Sequence, residues 1–162
     1  MPRVIGIDPG KTTGICSFYV EDPKDHPACL ESYELGFQGA GQYLENHLGS
    51  YQTIVICEAF LITTATAKKS FAPWSLEVIG LTKFFCAKVG VPLFMYAPAT
   101  HKRLVSNDVL KRVHLFVPGE HARDAARIGV YHCLTQLSLL QYALKEEDPN
   151  GAGNEGEGQG DR

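Results

Sequence analysis

No run of about 18 uncharged apolar residues occurs in this sequence, so nothing in it reads as a membrane-spanning helix. The nearest approach, residues 128–144, is broken by His132, Thr135, Gln136, Ser138 and Gln141. No C-x-x-C pair occurs either. The five cysteines, Cys16, Cys29, Cys57, Cys86 and Cys133, are odd in number and widely spaced. That excludes a zinc ribbon and a disulfide framework and points to a reducing compartment. Met1-Pro2-Arg3-Val4-Ile5 enters apolar sequence at once, so no signal peptide and a cytoplasmic protein are expected. A complete P-loop is missing too. Gly10-Lys11-Thr12 has the end of one, but Ile5 stands where its first glycine belongs, and a strand follows instead of a helix. At 162 residues the chain is too short for a two-domain, sugar-kinase-like architecture.

What the sequence does hold is charge of uneven placement. The net charge is -3. Residues 1–67 carry three basic and eight acidic side chains, a net of -5, whereas residues 68–127 carry ten basic and four acidic, a net of +6. Residues 128–144 carry none, and residues 145–162 carry two basic and six acidic, a net of -4. A phosphate backbone can use such a basic middle third, although solvated lysines on helix faces give the same distribution. The last stretch is glycine-rich and acidic, with no large apolar group, and cannot offset the entropy of ordering itself. The expected division is a folded domain over 1–144 and a disordered tail over 145–162.

Strands are expected at residues 3–8, 13–20, 28–35, 53–58 and 91–96, from apolar or alternating runs bounded by turn residues. Pro9-Gly10-Lys11-Thr12 turns the first two into a hairpin. One short helix is expected over 41–48. A second runs from Pro73 to about Val89, with apolar groups at 74, 78, 81, 85 and 89. Short helical pieces follow at 98–103 and 107–113, then a long helix over 120–144. The order β-β-β-α-β-α-β-α describes an α/β fold, a mixed five-stranded sheet with helices on both faces.

Two of the buried strands end in an acid. Sites in open α/β sheets lie beyond the carboxyl ends of the strands. An acid placed there after a run of apolar residues has to be solvated, paired or metal-bound. Asp8 and Glu58 meet that description, with a turn residue and a loop acid as the plainer readings. The third feature is Glu120-His121-Ala122-Arg123-Asp124-Ala125-Ala126-Arg127-Ile128-Gly129. His121 and Asp124 share a helix face, and Ala122, Ala125, Ala126 and Gly129 form a small-residue stripe for close packing on the sheet. Asp124 could equally serve the helix dipole in the first turn. Three carboxylates and a histidine make a hard, oxygen-rich donor set, suited to Mg²⁺ or Mn²⁺ rather than zinc.

Gly6-Ile7-Asp8-Pro9-Gly10-x-x-x-Gly14, Ile56-Cys57-Glu58, Tyr96-Ala97-Pro98 with Lys102, and His121-x-x-Asp124-Ala125 with His132 beyond it occur in that order across residues 3–135. Together they resemble the motifs of the RuvC-like Holliday junction resolvases, and the compact form with its acidic tail is more like a phage-encoded branch. The resemblance implies a ribonuclease H-like fold and a homodimer. It implies a crossover junction endodeoxyribonuclease that cuts four-way DNA junctions by paired phosphodiester hydrolysis, with two Mg²⁺ or Mn²⁺ ions per active site. Carried over by position, Asp8, Glu58 and Asp124 would be catalytic metal ligands, and His121 fills a slot that members occupy with Asp or His. The cell compartment implied is the bacterial cytoplasm, or the host cytoplasm for a phage protein. The chain departs from the family in two places. Only 27 residues separate Tyr96 from Asp124, fewer than in the cellular enzymes. Leu61 stands where those resolvases place a junction-wedging aromatic, with Phe60 one residue early.

Candidate DNA contacts are Lys68 and Lys69, in the threonine- and alanine-rich segment after Glu58, and Lys102, Arg103, Lys111 and Arg112 beyond it. The charge-free segment 128–144 would be buried inside the domain or line a two-fold interface. Two other readings stay open. One is a ribonuclease H-like nuclease acting on other branched DNA or structured RNA; the other is a non-catalytic branched-DNA binding protein.

Overall fold

The described residues form ten elements and a final 3₁₀ turn (Gln141–Leu144): β1 (Arg3–Asp8), β2 (Thr13–Tyr19), β3 (Ala28–Leu35), α1 (Phe37–His47), β4 (Thr53–Glu58), α2 (Trp74–Val89), β5 (Leu93–Tyr96), α3 (Pro98–Leu104), α4 (Asn107–Arg112) and α5 (Glu120–Thr135). The computed structural model describes residues 3–21, 26–49, 52–60 and 74–144. The strands form one sheet in the order β3-β2-β1-β4-β5. The meander β1-β2-β3 is antiparallel, whereas β4 and β5 run parallel to β1. This is the mixed five-stranded α/β sheet expected from the element order.

Successive side chains of a strand point to opposite faces, and here that alternation sorts the core into two layers. Val4 on β1, Cys16 and Phe18 on β2 and Ile56 on β4 pack with α4 and α5. Ile5, Ile7, Ile15, Val55 and Cys57 pack with α1 and α2 on the other side. Every even-numbered position of β1 and β4 therefore faces α5, and the last even position of each is an acid, Asp8 or Glu58.

Helix α5 lies closer to the sheet than helices normally can. A Cβ on Gly14 would stand 1.9 Å from the carbonyl oxygen of His121, and one on Gly6 would stand 1.9 Å from that of Ala125. The expected small-residue stripe is the other half of this contact: Ala122, Ala125, Ala126 and Gly129 are all buried. Ser75 at the start of α2 donates to the carbonyl of Pro9 at 2.8 Å and ties that helix to the turn after Asp8.

Three expectations need correction. The long helix over 120–144 stops at Thr135, because Ser138 and Leu140 take positive φ (53° and 59°) and the Gln141 side chain caps the carbonyl of Leu134 at 2.6 Å. The first helix starts at Phe37 rather than 41, running through Gly39 and Gly41. The buried stripe of α2 is Val78, Ile79, Thr82 and Cys86, while Trp74 and Val89 are exposed. Among the described residues no helix is long and apolar enough to cross a membrane.

Candidate active site

Strands β1 and β4 are adjacent and parallel, so Asp8 and Glu58 leave the sheet at the same end and on the same face. Helix α5 begins at that end, where Gly14, the ladder partner of Asp8, meets the main chain of His121. Glu34 on β3 fixes the helix start: its Oε1 accepts the N–H of His121 at 2.8 Å, one of the first-turn amides that has no partner within the helix. Asp124 follows one turn later, on the side of α3.

Each acid faces a basic side chain of its own. His121 Nδ1 lies 2.8 Å from Asp8 Oδ2. His101 Nε2, from α3, lies 3.0 Å from Glu58 Oε2. Asp124 accepts from Lys102 Nζ at 2.6 Å and also from Arg127. Arg127 is itself held by the carbonyl of Val105 at 2.8 Å and by Asn107 Oδ1 at 2.6 Å.

The pKa shifts show that these groups act on one another. Burial pushes the Asp8 carboxyl up, the His121 hydrogen bond pulls it back, and the charges of Glu58 and Asp124 push it up again, leaving it raised. The bond to Asp8 holds the His121 imidazole above its ordinary value, against the effect of burial. Burial lowers the Lys102 ammonium, but the bond to Asp124 and the charges of Asp124, Glu58 and Asp8 outweigh it, and the net shift is upward. Lys102 is thus bonded to Asp124 and feels the charges of Glu58 and Asp8 as well.

Among the described residues no three His, Cys, Asp or Glu side chains close into a metal-binding group. The donor set nevertheless fits a hard divalent cation. It offers three carboxylates and an imidazole, and Asp8 carries the repulsion of the other two acids. Beside Asp124 a cavity of about 470 Å³ opens between α3, α4 and α5, lined by Lys102, Ser106, Asn107, Arg123 and Arg127 as well as Val105 and Glu120. Its lining carries three cations and two acids, with Lys102 and Arg127 paired to Asp124.

No protein-family model matches the chain, and no curated protein matches it by sequence. Solved structures do match. Thermus thermophilus RuvC superposes with a TM-score of 0.66 at 19% identity, over 81% of this chain and 93% of that one. The T. thermophilus RuvC complex with a Holliday junction substrate gives 0.63 at 19%, over 82% and 93%. The Fowlpox virus resolvase with its substrate Holliday junction DNA gives 0.55 at 11%, over 80% and 97%. The chain has the RuvC fold.

Within that RuvC fold, His121 contacts Asp8 directly, and Glu58 and Asp124 act on Asp8 through their charges. Of the basic candidates, Lys102 joins them through Asp124. Lys111 is instead engaged with Asp108 at 3.2 Å and with the ring of Phe116. Arg103 is exposed on α3 and Arg112 lies in the last turn of α4. Lys68 and Lys69 lie outside the described residues, as do Leu61 and the tail over 145–162. Phe60 is no free wedge, since it packs against the core layer of α1 and α2. The charge-free end of α5 is also internal: Ile128, Val130, Cys133 and Leu134 belong to the core. Sequence reasoning missed Arg127 and His101. The i, i+3 spacing of Asp124 and Arg127 could have found the first, whereas no local pattern marks the second.

Proposed function

We propose that this chain is a divalent-metal-dependent endonuclease that resolves four-way DNA junctions by paired phosphodiester hydrolysis. What supports the reading is that Asp8 and Glu58 end adjacent parallel strands of a RuvC fold and that the charges of Glu58 and Asp124 bear on Asp8. The junction complexes of the RuvC and Fowlpox virus proteins support four-way DNA as the substrate. Asp8, Glu58, Asp124 and His121 would hold Mg²⁺ or Mn²⁺. Bound there, the ions would supply Lewis acidity toward the scissile phosphate and a water of lowered pKa. The chain itself does the positioning. His121 orients the Asp8 carboxylate, Lys102 and Arg127 hold Asp124 in place, and the basic cavity beside Asp124 receives a phosphate flanking the cut.

Paired nicks need two active sites, hence a homodimer. The apolar surface for it is on α2, where Leu76 and Phe84 lie two turns apart on one side of the helix, with Gly80 between them and Phe84 61% exposed. Asp8→Asn tests the catalytic reading. It should abolish Mg²⁺-dependent nicking of a four-way junction and leave junction binding intact, and a variant that nicks at the wild-type rate overturns the mechanism. The cationic partners of Asp124 favour a second reading, a binder of branched DNA that does not cut. Mg²⁺-dependent turnover on a four-way junction, a DNA flap and a folded RNA separates this from cleavage and ranks the substrates.

A further inference from the structure

Two buried polar atoms face each other in the site without forming a hydrogen bond. His101 is fully buried on α3, and neither of its ring nitrogens makes a hydrogen bond. Glu58 Oε2 is likewise sealed and unbonded, 3.0 Å from His101 Nε2. The separation is that of a hydrogen bond; the alignment is not. A buried polar group left unsatisfied is destabilising, and an apolar side chain at 101 would fill the same space without that penalty. A small rotation of the Glu58 carboxylate brings Oε2 into line with Nε2–H, in the tautomer that carries its proton on that nitrogen.

We propose that His101 is the positioning residue of Glu58. By drawing Oε2 inward it fixes the carboxylate plane and leaves Oε1 as the oxygen presented to the site. This rests on the nuclease reading of the same acids. Helix α3 then serves two of them through consecutive residues, since Lys102 bonds Asp124. Partners of this kind behind a metal-ligating side chain typically account for about 10–100-fold in metal affinity or activity.

The test is Mn²⁺ binding to the full chain, followed by the paramagnetic resonance of the free ion, beside nicking of a four-way DNA junction in Mg²⁺. His101→Leu keeps the volume and removes the donor; His101→Gln returns an N–H. Expected are an Mn²⁺ affinity and a kcat roughly 10-fold lower in H101L, an unchanged KM for the junction, and recovery of both in H101Q. In a Glu58→Gln background H101L should change neither further, because it acts through Glu58. Wild-type affinity and kcat in H101L overturn the inference. Equal losses in H101L and H101Q that persist in the E58Q background overturn it as well, since they mark a packing role. If H101L does not fold, H101Q decides: recovery supports the inference, and a loss as large as that of E58Q overturns it. A wild-type protein that neither binds Mn²⁺ nor nicks the junction overturns the nuclease reading, and this inference with it, without any variant.

Discussion

His132 is buried against Phe94, with ring centroids 4.4 Å apart, and its Nδ1 shares a hydrogen bond with the hydroxyl of Tyr96 at 2.9 Å. Burial holds its pKa below the ordinary 6.5. The unfolded chain therefore takes up this proton at a higher pH than the folded chain does. Stability from this residue is complete above about pH 6.5 and declines as the pH falls below it. His132→Leu should lose roughly 1 kcal/mol at neutral pH with the Tyr96 bond, and should lose less than wild type on further acidification. Urea midpoints of both proteins at neutral and mildly acid pH check this. His121 has the opposite sign. Its raised pKa gives stability that is present below its unfolded value and is lost as pH rises through the folded one.

Helix α5 does two jobs with one contact, because the glycines that let it approach the sheet also set where His121 and Asp124 fall. Gly14→Ala would drive a methyl group into the carbonyl of His121, which belongs to the backbone and cannot swing away. The expected cost is about 3 kcal/mol, near the upper end for overpacking, measured as a lower urea midpoint. Nicking should fall further than stability explains, since His121 is pushed away from Asp8. The helix ends were harder to read than its face. Apolar and small polar residues continue past Thr135 at helical spacing, and only the left-handed turns at Ser138 and Leu140 stop it. In α2 the expected stripe holds at Val78, Leu81 and Phe85, which pack on the core, but its ends Trp74 and Val89 are exposed and Ile79, Thr82 and Cys86 are buried beside it. This follows from the sheet it packs on, whose Ile5, Ile7 and Val55 lie on that side.

At the scale of the whole molecule, the sheet separates two layers. One face carries α5 and the acids, and the other carries α1 and α2, whose outer side leaves Leu76 and Phe84 in solvent. On the proposed homodimer, Phe84→Asp should give a monomer in light scattering at micromolar concentration where the wild type gives a dimer. It should uncouple the paired cuts into single nicks while the fold and the site itself stay unchanged. A wild-type protein that is monomeric in the same measurement removes α2 as the interface. The electrostatic asymmetry follows the same division, for Lys102, Arg123 and Arg127 surround the cavity beside Asp124 whereas the net charge of the chain is -3.

Element order, the two strand-end acids and the small-residue face of α5 were legible in the sequence alone, because each is encoded within two to four neighbouring residues. Strands buried on both sides show no alternation, so the face on which Asp8 and Glu58 emerge was not written in either run. The partners of the acids were out of reach for a second reason. His121 and Asp8 lie 113 residues apart and Lys102 and Asp124 lie 22 apart, and such pairs exist only once packing has placed their elements. Tertiary structure alone decided that each acid would meet its own base, and that a fully buried histidine would stand behind Glu58.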